Sequence, residues 1–441
     1  MSEKRKRSAA CGRFAKKGWA LGLSMLLLVS LTACGADSGQ QSILLNEEIE
    51  PVSADIGSPS PSAEQGIRNL SIEMFCRAAE EGENLVMSPL SAAITLVLCG
   101  QGTDGQTAAQ IEKVLGEEES GSMDAAAQWL KQYRETCLKP RDGVEIRCAD
   151  AIWLRDNERL QVNEDYLQRA RGCFDADVYK APFNSRTVRE INQWCSDKTD
   201  GMIDRMLNKI EDSDVFYLLN GIAFDGKWKT PYENEDLEKA VFTCEKNRAS
   251  GQDPQEENTC EVSMMYSTEY VYLENAHATG VIKPYQSGFS FVGILPKEGM
   301  TMQNFLASLD GRAWKELLDS RTETAVNCGI PEFKTDSSVS LKEALQDMGV
   351  TDLFDPERAD LHKLAVSKAG NIWITNALQR TVLEVDRHGT KAASITLFSA
   401  GDSAAPMEEK SVILNRPFLY AVVDDQTNLP VFMGVMMDPQ Q

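Results

Sequence analysis

The sequence predicts an α+β chain: one large domain carried behind a polar amino-terminal tail. Three observations point there. Ile67 to Glu81 places Leu70, Met74, Phe75 and Ala78 at helical spacing, whereas Val144 to Leu154 and Thr381 to Asp386 alternate apolar and polar residues as strands do. About twenty small residues, rich in Ala, Ser and Thr, follow Asp386 before the next strand. A loop of that length inside a compact domain is uncommon and marks either function or disorder, and composition alone fits a plain connector equally well.

The elements follow in chain order. Met1 to Lys17 carries seven basic residues, and an apolar run from Trp19 to Leu31 comes next, short for a membrane span and flanked as a secretory signal is. It ends in Leu31-Thr32-Ala33-Cys34, which resembles a bacterial lipobox, whose cysteine takes a diacylglycerol. Residues 1–33 are therefore expected to be a lipoprotein signal peptide. Two acyl chains on Cys34 would anchor the protein stably to the bacterial membrane, facing outward at the cell surface. Residues 34–63, rich in Ser, Gly, Gln, Glu and Pro, read as a flexible tether with a reach of about 30 Å. The globular domain is then 64–441.

Removing residues 1–33 leaves 38 basic against 66 acidic residues, a net charge of −28. Such a surface argues against nucleic acid and anionic lipid as partners. Nine cysteines remain beyond Cys34, with no CxxC pair among them, so neither a zinc ribbon nor a thioredoxin-like site is expected. No cofactor or metal is expected. None of the three histidines stands in a catalytic motif, and HExxH, GxSxG and glycine-rich phosphate loops are missing.

After the first helix, Ser88 is a good N-cap and Pro89 a good first helical residue, with Gly100 placed to stop the helix. Leu90 to Cys99 is apolar nearly all round, so this second helix should be buried. Gln106 to Leu115 and Ser122 to Cys137 read as further helices.

Several ordered motifs lie along this framework. Asn84, Ser88, Pro89 and Ser91 precede Gly102, Gly105, Thr107 and Gln110. Asn192-Gln193-Trp194-Cys195 leads to Thr199-Asp200-Gly201-Met202-Ile203, and Tyr217 to Trp228 reads Tyr-Leu-Leu-Asn-Gly-Ile-Ala-Phe-Asp-Gly-Lys-Trp. Pro331-Glu332-Phe333-Lys334, Ala359-Asp360-Leu361, Asn415-Arg416-Pro417-Phe418 and Val431-Phe432-Met433-Gly434 follow. Gly389-Thr390-Lys391-Ala392-Ala393-Ser394 stands before the long loop. Taken together, from about Ile67 to Pro439, they resemble the serpins.

That resemblance implies a serpin fold, about nine helices around three β-sheets, with an exposed reactive-centre loop at about 387–411. It implies a suicide-type inhibitor of a serine, or cysteine, endopeptidase rather than an enzyme: the loop is cleaved, acylates the protease and inserts into the main sheet. Gly389, Thr390, Ala392, Ala393 and Ser394 would form the hinge, and Ser88, Ser91, Asn220 and Gln379 the region where the sheet opens. On alternate positions Thr390, Ala392, Ser394 and Thr396 are small, as insertion demands. Counting seventeen residues from Arg387 puts the reactive bond at Ser403–Ala404, while counting back from Pro417 gives Pro406. Small residues there suit an elastase-like or subtilisin-like protease, and Asp402 leaves an acid-specific one open.

Departures stand at Arg387 and Lys391, where the family prefers glutamate, and at Gln379, where it has histidine. With only Lys131, Arg134 and Lys139 about the helix at Asp124 to Leu138, heparin activation is not expected. A monomer is expected. In the family the segments flanking Glu245 to Thr259 are neighbouring antiparallel strands, which implies a Cys244–Cys260 disulfide. The alternative is a non-inhibitory serpin acting as a cell-surface binding or scaffold protein.

Overall fold

The computed structural model of the 441-residue chain describes residues 40–50, 61–116, 122–156, 160–244, 258–368, 370–390 and 410–440. Two large sheets enclose a helix buried on every side. That helix is α2 (Pro89–Gly100), all twelve residues of which are buried; it packs on α1 (Pro61–Ala78) and α4 (Ser122–Thr136). Ser88 caps it, its hydroxyl accepting from the Ser91 amide at 3.2 Å, and Pro89 occupies the first turn, where a missing N–H costs nothing. The remaining helices are α3 (Gly105–Val114), α5 (Glu164–Phe174), α6 (Ser185–Lys198), α7 (Met302–Ala307), α8 (Gly311–Asp319) and α9 (Leu341–Asp347), making nine α-helices among the described residues.

The first sheet contains β1 (Ile43–Leu44), β3 (Val144–Arg155), β5 (Asp177–Ala181), β6 (Phe216–Lys227), β12 (Phe333–Ser340), β14 (Asn376–Asp386) and β15 (Gly389–Thr390). Its order is β1-β5-β3-β6-β15-β14-β12. β6 is the central strand: nine of its first nine residues are buried, because it is covered by other strands at both edges and by packed layers on both faces.

The second sheet runs β16-β11-β8-β9-β10-β17-β18-β2, with β7 beside β8. These are β2 (Leu85–Met87), β7 (Leu237–Thr243), β8 (Thr259–Glu274), β9 (Ala278–Pro284), β10 (Phe289–Pro296), β11 (Thr322–Pro331), β16 (Lys410–Ile413), β17 (Phe418–Asp424) and β18 (Pro430–Met436). The sixteen-residue β8 joins its two parts, pairing β7 through Thr259–Met265 and β9 through Val271–Glu274. A third, small sheet pairs β4 (Leu160–Val162) with β13 (Ala365–Ser367). The fold class is thus the α+β arrangement that the sequence predicts.

The expected tether at 34–63 differs. Within it, β1 pairs antiparallel with the edge strand β5, Ile43 opposite Lys180, and the buried Asn46 donates to the Ala176 carbonyl at 2.8 Å and accepts from the Val178 amide at 3.1 Å. An edge strand offers unpaired backbone groups, and this segment satisfies them. Helix α1 also starts earlier than its apolar spacing suggests, at Pro61, with Glu64 in its first turn paired to Arg68 at 2.5 Å.

Candidate functional site

The site lies where β14 and β6 part. Along β14, buried and partly exposed residues alternate, and most of its length pairs with β12, from Phe333 opposite Val385 to Ser340 opposite Leu378. Toward β6 it pairs only from Asn376 to Thr381, in parallel with Tyr217 to Ile222. Above those six rows the two strands separate, and the chain turns back to put Gly389 and Thr390 between them. Gly389 stands opposite Asp386 and Lys227; Thr390 stands opposite Val385 and Gly226.

Local chemistry makes that turn. The Asp386 carboxylate accepts from the amides of His388 (2.7 Å) and Gly389 (3.1 Å), closing an Asx turn. Gly389 has φ +155°, and a Cβ there would come within 2.1 Å of the Gly226 carbonyl oxygen, so only glycine fits between the strands. Thr390 is fully buried and its hydroxyl lies 2.6 Å from that of Tyr285. Burial pushes the Tyr285 phenol well above its usual range, so it remains a neutral hydrogen-bond partner.

Tyr285 stacks on Trp228 with ring centroids 4.5 Å apart, and Trp228 in turn donates from Nε1 to the Asp386 carbonyl at 2.8 Å and from its amide to the His388 carbonyl at 3.1 Å. Beneath this stack the buried Lys283 ammonium pairs with Glu269 at 2.7 Å and sits 4.2 Å from the Tyr232 ring centroid. The hinge entrance is therefore an aromatic platform closed by backbone hydrogen bonds.

Two rows down, Gln379 faces Asn220 across the β14–β6 junction. The Gln379 amide accepts from the Ser88 amide at 2.8 Å and donates to the Ser88 carbonyl and to Asn220 Oδ1, both at 3.0 Å. Asn220 donates to Asp150 Oδ1 at 3.0 Å, and Thr95 donates to the same oxygen at 2.6 Å. Ser88 donates to the Val431 carbonyl at 2.5 Å, and Ser91 Oγ lies 3.3 Å from Cys148 Sγ. This buried net ties β14, β6, β3, β18 and α2 at one point. Burial raises the pKa of Asp150, with Arg134 and the donated hydrogen bonds opposing.

Asp150, Thr95, Cys148, Glu269, Lys283 and Tyr285 did not emerge from the sequence as site residues. For Asp150 a signal existed: an acid at an inward-facing position of the Val144–Leu154 strand, where apolar residues are expected.

The family model described as Serpin (serine protease inhibitor) matches residues 65–439. The chain belongs to the serpin family. It is 28% identical over 368 residues to antithrombin-III of Ovis aries, covering 81% of this chain and 77% of that protein. It is 25% identical over 426 residues to alpha-1-antitrypsin 1-2 of Mus musculus, covering 94% and 97%. Among solved structures it is similar to the thermophilic serpin tengpin in its native state, at 35% identity and TM-score 0.83, covering 90% of this chain and 100% of the other. Against tengpin in its latent state the TM-score is 0.74, at 35% identity and covering 87% and 99%.

Two of the three departures of this serpin from the family pattern are met locally; the third, Lys391, lies outside the described residues. Arg387, in a glutamate position, has its own carboxylate: Nε donates to Glu332 at 3.2 Å and Nη1 to Asn234 at 2.9 Å. Gln379, in a histidine position, accepts one hydrogen bond and donates two through its amide, whereas a neutral imidazole has a single donor. Ala392, Ala393, Ser394, the reactive-bond pair Ser403 and Ala404, and Cys34 lie outside the described residues.

The expected Cys244–Cys260 disulfide is not formed in this structure. Both residues are free thiols with sulfurs 3.6 Å apart, beyond the roughly 2.05 Å of a disulfide bond. Cys260 stands opposite Phe242, and the Cys244 amide donates to Asn258, so the two cysteines are diagonal rather than opposite.

Proposed function

We propose that this serpin is a suicide-type inhibitor of a serine endopeptidase, with an elastase-like or subtilisin-like target cleaving near Ser403. Members of the family are in general protease inhibitors rather than catalysts, and some are non-inhibitory. The observation that carries the reading is the pair Gly389–Thr390, already laddered between β6 and β14 at the end where these strands are parted.

Extending that register gives the path of insertion. Thr390 opposite Val385 and Gly226 would put residues 391–393 beside residues 384–382 and 225–223, where β14 and β6 are not paired to each other. Those three steps break no ladder. From Ser394 onward each residue must separate one of the six rows from Thr381–Ile222 to Asn376–Tyr217, and Thr396 would arrive between Gln379 and Asn220. The net of Gln379, Asn220 and Ser88 is then the latch that holds the sheet closed until the loop is cut.

The energetics favour completion. Insertion exchanges one ladder for two, and about ten additional hydrogen bonds at roughly 0.5 to 1.5 kcal/mol each give about 5 to 15 kcal/mol. Pulling a catalytic triad out of alignment costs a protease about 10⁴ in rate. Side chains on the Thr390 face, Ala392, Ser394 and Thr396, are small enough to enter the packed interior that Thr390 already occupies. The protease supplies the nucleophile and forms the acyl bond; the serpin supplies the strand.

Incubating the purified chain with elastase and with a subtilisin tests this. An SDS-resistant complex of summed mass is expected with at least one of them. A clipped loop with fully active protease in both cases would instead support a non-inhibitory scaffold.

A further inference from the structure

We propose that Cys244, Cys260 and Asp438 form a binding site for a thiophilic divalent cation of the zinc class. Cys244 directly follows β7, Cys260 is the second residue of β8, and Asp438 follows β18, so a pair of adjacent strands and the remote carboxy-terminal segment meet there. One sulfur of each cysteine and one carboxylate oxygen of Asp438 all lie within 4.8 Å of one another.

The sulfur separation is informative. Two thiolates bound at about 2.3 Å to a tetrahedral zinc stand roughly 3.8 Å apart, the edge of the tetrahedron. The observed 3.6 Å is close to that edge and far from a disulfide. Diagonal placement on the β7–β8 ladder produces it, since the sulfurs converge while their strands remain in register.

The third ligand is held in place. Asn84 Oδ1 accepts from the amides of Met437 (2.7 Å) and Asp438 (3.0 Å), and its Nδ2 donates to the Asp438 carbonyl at 2.5 Å. The Gln440 amide donates to Asp438 Oδ1 at 2.9 Å, which orients the carboxylate and leaves its other oxygen available. No Lys or Arg pairs with Asp438 among the described residues. Among the described residues, three groups that become anions thus converge without a counter-charge, in a chain of net charge −22.

Donor chemistry selects the cation. Two sulfurs disfavour calcium and magnesium, which take oxygen ligands, and favour zinc or its cobalt and cadmium substitutes. Three protein ligands leave the fourth tetrahedral position to water. Binding would release two thiol protons and tie the β7–β8 hairpin to the carboxy-terminal strand, stabilising the native state by mass action. Cys244 is buried, while Cys260 and Asp438 are half-buried, so the ion has an approach.

The test is a Co²⁺ titration of the purified, reduced, untagged chain. One equivalent should produce a thiolate-to-cobalt charge-transfer band that Zn²⁺ abolishes, and Zn²⁺ should raise the melting temperature. Cys260→Ser and Asp438→Asn should each weaken cobalt binding at least about tenfold. Both positions are partly exposed, and melting curves without metal report whether each variant folds. If the wild type takes up no cobalt, if it is recovered with Cys244 and Cys260 oxidised to a disulfide that reduction does not convert to a cobalt site, or if a folded Cys260→Ser retains the band, the site is not there.

Discussion

Asp150 carries a cost at neutral pH that its neighbours only partly offset. The carboxyl is 2% exposed, and burial lifts its pKa in the folded chain above the roughly 3.9 of an unfolded aspartate. The sign follows from linkage. A raised folded pKa means that stability is fully present below the unfolded value and is lost as pH rises through the folded one. Asp150→Asn preserves the shape and can still accept from Thr95 and Asn220, so it should remove this slope. Melting temperatures of the two proteins, compared from about pH 4 to neutrality, should diverge steadily in favour of the variant. Parallel curves would show that Asp150 does not titrate in this range.

At the level of elements, β15 has only two residues and is the strand on which the proposed mechanism turns. Thr390 has no exposed surface, and among the described residues its hydroxyl meets the neutral Tyr285. An arginine there would leave the hinge outside the sheet in the intact chain, and insertion would then require its burial without a carboxylate partner, a cost of about 3 to 5 kcal/mol, or roughly 10² to 10⁴ in the rate of insertion. Thr390→Arg should therefore leave the loop cleavable but shift the outcome from trapped complex to clipped product. Quantifying the complex-to-clipped ratio on denaturing gels checks it, with circular dichroism of the intact variant to establish folding. Equal trapping by the variant would rule out insertion through this hinge.

For the whole molecule, the docked segment 40–50 changes how a lipid anchor would act. If Cys34 is acylated, only residues 35–39 separate it from the first described residue, Gln40. Fully extended, those steps span about 20 Å, against the roughly 30 Å average reach of a free coil twenty-nine residues long. The body would be kept close to the bilayer. Cys34→Ser should move the protein from the membrane fraction to the soluble one while protease trapping in solution is unchanged; retention of the variant in the membrane fraction would place the anchor elsewhere.

What was legible in the sequence was local or motif-bound. Ser88-Pro89 announces its helix because capping is decided by neighbouring residues, and β6 is readable by its motif from Tyr217 to Trp228. The hinge glycine and threonine stood out by their motif, as did Asn220 and Gln379. Pairings between remote segments were hidden. The polar composition of 34–63 conceals the Ile43-Leu44-Leu45 stretch that docks on β5, since only the presence of an open strand edge gives those residues a partner. Asp150, Tyr285 and the Lys283–Glu269 pair join the site through strands whose order cannot be read along the chain. Cys244 and Cys260 were visible as a pair, but whether they face or lie diagonal depends on a register of one or two residues, and Asp438 reaches them only through the folded carboxy-terminal strand. Sequence by itself determined the elements and the family, because these rest on short-range chemistry; tertiary structure decided the partners, because backbone and side-chain groups must be satisfied by whatever the fold brings within about 3 Å.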